Sequence, residues 1–139
     1  MDFIVSDRQS IEHGLVVMTP YIVISIRDPG TQKPRLRCGA GFQDALYLTF
    51  HDAEPSNDFE LPSEIVLMTR EDANQVWKFV QRWQDTIGTI VCHCEQGMSR
   101  SPAIAIGLCR GLGDDPSELE AEYSPNMFVN QLILDAVTG

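Results

Sequence analysis

The sequence predicts an α/β domain: a mostly parallel sheet of four to five strands with helices on both faces. Two observations predict the sheet. Tyr21–Ile26, Ala45–Phe50 and Thr89–Cys92 are largely apolar runs without polar alternation, the first of them rich in β-branched residues, which suits strands covered on both sides. Helical patterns alternate with them along the chain, as parallel strands with crossover connections require. A third observation bounds the domain count: 139 residues, 43% of them hydrophobic, make one domain spanning 1–139 with a core of its own.

Taken in order, Phe3-Ile4-Val5 reads as a short first strand, and Ser6 or Asp7 caps a helix from about Arg8 to Val16. The second strand, Tyr21–Ile26, stops at Asp28-Pro29-Gly30. From Asp28 to about Asp44 no periodic pattern appears; this long loop holds Lys33, Arg35 and Arg37 and reads either as a solvated connection or as a docking strip. Ala45–Phe50 is the third strand, and an irregular stretch follows to about Met68. Thr69 then caps a helix with acids in its first turn, and Ala73, Val76, Trp77, Val80 and Trp83 mark its buried face, the two Trp as core anchors. Gly88 precedes the fourth strand. Residues from Ala103 to about Leu112 are apolar nearly all round, predicting a buried helix. A short helix from Asp115-Pro116-Ser117 to Glu122 and a terminal helix from Met127 to Val137 complete the chain, with Asn126 as the cap of the last.

Charge and composition narrow the partners. A formal charge of −10 argues against nucleic acid or an anionic membrane surface as the main partner. No apolar run approaches the length of a membrane span, and the first residues do not resemble a targeting peptide. The four cysteines, at 38, 92, 94 and 109, form no zinc-like motif, so the expected setting is the reducing cytoplasm.

The chemistry concentrates in Val91-Cys92-His93-Cys94-Glu95-Gln96-Gly97-Met98-Ser99-Arg100-Ser101-Pro102. A strand ends at the start of this stretch and a helix opens at its end, with Pro102 in the first turn, where a missing N–H has no cost. Five residues separate Cys94 from Arg100. The N–H groups of Glu95, Gln96, Gly97, Met98, Ser99 and Arg100, with the positive end of the helix, make a cradle for a phosphate or sulfate ion. The same surroundings favour the Cys94 thiolate. Arg100 can grip two phosphate oxygens in its planar fork. Because loops leaving parallel strands gather at one sheet edge, Asp52, just beyond strand three, falls near Cys94, just beyond strand four.

His93-Cys94-x-x-Gly97-x-Ser99-Arg100-Ser101 resembles the active-site loop of the cysteine-dependent protein tyrosine phosphatases, closest to its dual-specificity form. Phe50-His51-Asp52 and Ser124-Pro125-Asn126 resemble further positions of small prokaryotic-type members. The resemblance implies a phosphatase-like fold and hydrolysis of phosphotyrosine in proteins, extending to phosphoserine and phosphothreonine, with small aryl phosphates as surrogate substrates and no cofactor or metal. It also implies that Ser101 eases departure of the Cys94 thiolate and that His93 orients the loop. Asn126 would stand near the far wall of the pocket, its other reading being the helix cap.

For the general acid, Asp52 is preferred because a strand end holds it and it completes the Phe-His-Asp pattern; Asp58, in a more flexible stretch, is the alternative. His51 is either a pocket residue or a loop-satisfying histidine. Cys92 or Cys109 could trap an oxidised Cys94 as a disulfide, or simply pack in the core. Phosphoinositide substrates are disfavoured by Glu95, Gln96 and Met98 at the loop's variable positions. An arsenate reductase or low-molecular-weight phosphatase carries its motif after the first strand, and a sulfurtransferase fits Ser99-Arg100-Ser101 poorly. The rival of another class is a phosphate- or phosphopeptide-binding module with weak or no turnover.

Overall fold

Residues 21–26, apolar apart from Ser25, send side chains toward both faces, and folding buries all six. They form the core of β2 (Tyr21–Arg27) in a computed structural model that describes residues 1–139. The other strands are β1 (Asp2–Ser6), β3 (Phe42–Thr49) and β4 (Thr89–His93). All pair in parallel, in the order β1-β4-β2-β3, so β4 and β2 lie in the middle. Five helices complete the chain: α1 (Arg8–His13), α2 (Arg70–Trp83), α3 (Arg100–Gly111), α4 (Ser117–Glu122) and α5 (Met127–Thr138). None is long and apolar enough to cross a membrane.

The two faces are unequal. Ile22, Ile24, Ile26, Ile90 and Cys92 point to the side covered by α2, α3 and α5 and share one core of 18 buried residues. Tyr21, Val23 and Val91 point the other way and meet only Ile11 of α1 as a fully buried partner. Helices therefore lie on both faces, but the second face has one short helix and is completed by Leu15, Val17 and Leu36 from irregular segments. α1 stops at His13 rather than near Val16, because Gly14 takes φ +111° and closes the helix through its N–H to Ser10.

The connection from Asp28 to β3 is not a loose tether. The Arg35 and Arg37 amides bond to Glu12 Oε2 (3.0 Å) and the Ile11 carbonyl (3.2 Å), and the Gly39 amide donates to the Tyr21 hydroxyl (2.9 Å). Lys33 stands 3.8 Å over the Tyr47 ring. The segment serves as cover for the thin face, and β3 begins three residues earlier than its apolar run, where Phe42 meets Tyr21 edge-on.

α2 has its expected start: Thr69 and Asp72 form a reciprocal capping box. Ala73, Val76 and Val80 are fully buried, whereas Trp77 and Trp83 are only half-buried against the core. The rings lie at the margin of the helix's apolar stripe, where part of so large a side chain stays in water.

Register aligns the strand ends. His93 pairs with Ser6 on one side and Ser25 on the other, and Arg27 pairs with Thr49. The chain segments leaving β1, β2, β3 and β4 thus emerge along one edge.

Candidate active site

β4 is buried at every position and delivers Cys94 to that edge. The Cys94 amide donates to the Ser6 carbonyl (3.3 Å) and the Arg8 amide to the Glu95 carbonyl (3.1 Å), so the end of β1 and the start of α1 fix the beginning of the loop. Its midpoint turns at Gly97, with φ +69°; a Cβ there would stand 2.8 Å from the Ser6 carbonyl carbon and oxygen. Only glycine fits, by conformation and by space.

The turn folds the loop around the sulfur. The Gly97 N–H donates to Cys94 Sγ (3.2 Å), and the Ser101 hydroxyl lies 3.1 Å from it. The amides of Glu95, Gln96, Met98, Ser99 and Arg100 donate to no protein acceptor. Ser99, which precedes α3, gives that helix no side-chain cap; its hydroxyl donates instead to Asp52 Oδ1 (2.9 Å). The residues bearing these free N–H groups line one cavity of about 370 Å³. Cys94 is only 2% exposed, and this cavity, which it lines together with Arg100, is where it opens.

Arg100 is itself 5% exposed. Its Nη1 donates to Asp28 Oδ1 and to the Phe50 carbonyl, both at 2.6 Å. Phe50 directly follows β3 and is fully buried, so this acceptor is held against the core. The pair of bonds holds the guanidinium plane while Nε and Nη2 keep no protein partner. That free edge has the geometry for two oxygens of one anion.

Asp52 stands at the rim. Its Oδ1 accepts from Ser99 and from Asn126 Nδ2, each at 2.9 Å, which leaves Oδ2 to face other groups. Asn126 also donates to the Ala53 carbonyl (3.1 Å), caps α5 by accepting from the Val129 amide (3.0 Å), and donates its own amide to the Ser99 carbonyl (3.1 Å). Helix cap and pocket wall are therefore one residue. His51 lines the cavity as well; its Nδ1 accepts from the Val66 amide (2.9 Å), which makes the neutral ring the Nε2–H tautomer. The same two residues also join through the His51 amide and the Val66 carbonyl (2.7 Å), closing the base of the intervening loop.

His93 does not reach the cavity. Fully buried, it places Nε2 2.6 Å from the Ser25 hydroxyl and Nδ1 3.3 Å from the Cys94 carbonyl. A carbonyl only accepts, so Nδ1 carries the hydrogen and the Ser25 hydroxyl donates to Nε2. Burial pushes the His93 pKa down, outweighing the carbonyl bond and nearby Glu95 that favour the charged ring. The ring ties β2 to the start of the loop.

Of the expected residues, Cys94, Arg100, Ser101, Asp52 and the loop from Glu95 to Ser99 come together. Asp58 does not: it is exposed in a turn closed by its amide on Ser56 Oγ (3.1 Å), and it lines neither the cavity nor the groove beside it. Cys92 is sealed in the core, where burial drives its thiol pKa upward and disfavours the thiolate. Cys109 lies on α3 nine residues beyond Arg100, roughly 13 Å further along the axis, in a different cavity beside Met1 and Phe3. That separation excludes a disulfide with Cys94. Cys38, half-buried near Tyr21, is also free.

Two contributors escaped the sequence reading. Asp28 had looked like a strand terminator, and Ser25 like one more residue in an apolar strand. Asp28 leaves β2 as Asp52 leaves β3, and that parallel placement was the signal available for it. Comparison with protein-family models, with curated proteins and with solved structures finds no match for this chain.

Proposed function

We propose that the chain is a cysteine-dependent phosphomonoester hydrolase of protein tyrosine phosphatase type, acting on phosphotyrosine in proteins and extending to phosphoserine and phosphothreonine. One observation carries the reading: the Cys94 sulfur, five unpartnered loop amides and the free edge of Arg100 share a single cavity. A dianionic phosphoryl group matches that set in charge and in number of acceptors.

In the first step the Cys94 thiolate attacks phosphorus, and the P–O bond to the leaving group breaks. Asp52, protonated on Oδ2, gives its proton to the departing oxygen. In the second step the Asp52 carboxylate takes a proton from water, whose oxygen attacks phosphorus and releases the Cys94 thiolate and inorganic phosphate. The Ser101 hydroxyl and the Gly97 N–H, both beside Sγ, stabilise the sulfur anion at the start and at the end. Loop amides and Arg100 hold the equatorial oxygens throughout. His93 supports the loop and transfers no proton. A reducing cytoplasm suits an enzyme whose nucleophile is a free thiol.

Hydrolysis of p-nitrophenyl phosphate tests this. Cys94→Ser is expected to lower turnover by at least about a thousandfold while phosphate or vanadate still binds, since the cradle is intact. Turnover that survives the substitution overturns the mechanism. Phosphate binding with no wild-type turnover identifies a binding module instead.

A further inference from the structure

A trough leads away from the cavity at Cys94. Asp52 and Ser99 line both the cavity and the groove that continues it past Glu54, Pro55 and Phe59. From Pro55 and Phe59 the surface hollow extends to Glu60 and Leu61. The wall nearest the cavity is pinned: Asn126 holds Asp52 and Ala53, and Glu54 Oε1 accepts the Met127 and Phe128 amides at 2.8 and 3.3 Å. That side of the trough is thus held by contacts within the fold.

Its chemistry is asymmetric. Phe59 is 64% exposed, a large ring left in water beside Pro55 and Leu61. Glu54 and Glu60 supply carboxylates with no cationic partner, whereas Asp28 and Glu95 at the cavity are paired with Arg100 and Arg8. Beyond Arg100 at the cavity, no Lys or Arg lines any part of this path. The chain as a whole carries −10. An anionic path with one aromatic face complements a cationic, extended segment, whose Arg or Lys can place its charge near the carboxylates and its stem or guanidinium on the ring.

We infer that the trough from Asp52 to Leu61 receives the polypeptide beside the phosphorylated residue and selects segments with Lys or Arg there. This rests on the phosphatase reading and narrows its substrates to phosphoproteins with basic flanks. A small phosphorylated metabolite would fill the cavity and leave the trough unused.

The test compares three substrates with the full chain: p-nitrophenyl phosphate, a phosphotyrosine peptide flanked by Lys and Arg on both sides, and its counterpart flanked by Asp and Glu. The basic peptide is expected to be favoured in kcat/KM over the acidic one by about tenfold, as two or three exposed charge contacts provide. Salt should shrink that ratio, and Glu60→Lys should reduce it by about threefold. If p-nitrophenyl phosphate is hydrolysed but the two peptides are cleaved equally, the trough assignment is overturned and the phosphatase reading stands. If none of the three is hydrolysed, the phosphatase reading itself is overturned.

Discussion

Asn126 uses every polar atom it has. Its side chain reaches Asp52, Ala53 and the Val129 amide, and its backbone amide reaches Ser99. The residue thereby joins the rim carboxylate, the phosphate loop and the start of α5 while remaining 5% exposed. Two roles are superposed here and two substitutions separate them. Asn126→Ala removes both, costing about 1 kcal/mol of stability for the lost cap and releasing Asp52. Asn126→Asp keeps a good N-cap but sets a second carboxylate against Asp52, where both cannot ionise without cost. Both variants are expected to slow hydrolysis of alkyl phosphates, which need a proton on the leaving oxygen, about tenfold or more, and to affect p-nitrophenyl phosphate far less. Thermal melting should fall for both variants, through the lost cap in Asn126→Ala and through the carboxylate pair in Asn126→Asp. Asp52→Ala should show the same leaving-group dependence more strongly, and Asp58→Ala none. Equal loss on both substrate types for the Asn126 variants would show a cap without a positioning role.

The connection between β4 and α3 owes its shape to one residue that has no side chain. At Gly97 a methyl group would meet the Ser6 carbonyl at 2.8 Å and the Asp7 amide at 2.9 Å, on a backbone with φ +69°. Gly113, with φ +81° and nothing within 4 Å of a Cβ, isolates the conformational part of that cost. Gly113→Ala is expected to lose about 1 kcal/mol, and Gly97→Ala about 2–3 kcal/mol, measured by chemical denaturation. Gly97→Ala should also lower turnover of p-nitrophenyl phosphate, because the Gly97 N–H is the amide that bonds the sulfur. Similar losses at both positions would mean that the loop accommodates the methyl by moving. This element was legible in advance because its signals are local: an apolar strand, a glycine and a proline at a helix start occupy a dozen consecutive residues. The capping box at Thr69 was legible for the same reason. The end of α1 was not, since apolar residues beyond Gly14 read as a continuing helix until tertiary contacts drew Leu15 and Val17 onto the sheet.

Long-range placement set the limit of the sequence reading across the molecule as a whole. That the strands are parallel followed from their continuous apolar character; that Asp28 would grip Arg100, 72 residues away, depended on which strands became neighbours. The central pair, β2 and β4, holds the most instructive case. Ser25 and His93 are directly paired in the parallel ladder, and their side chains meet at 2.6 Å in the interior. Such a polar tie between two buried strands makes the stability of the entire fold sensitive to acid. His93 has an ordinary value of 6.5 and is held below it, chiefly by burial, with Arg8 in the same direction and the Cys94 carbonyl, Glu95 and Glu12 opposing. The unfolded chain therefore takes up a proton near pH 6.5 that the native state refuses until its own lower pKa is reached. Stability is fully present above about 6.5 and declines as pH falls below it, with a slope that approaches about 1.4 kcal/mol per pH unit for one proton. His93→Gln, which keeps a polar group toward Ser25 but does not titrate, should be less stable than the wild type at pH 7.5 and lose less on going to pH 5.5. Urea unfolding of both proteins at the two pH values measures the difference. A pH dependence that is the same in the variant as in the wild type would show that the buried imidazole is not what links the fold to acid.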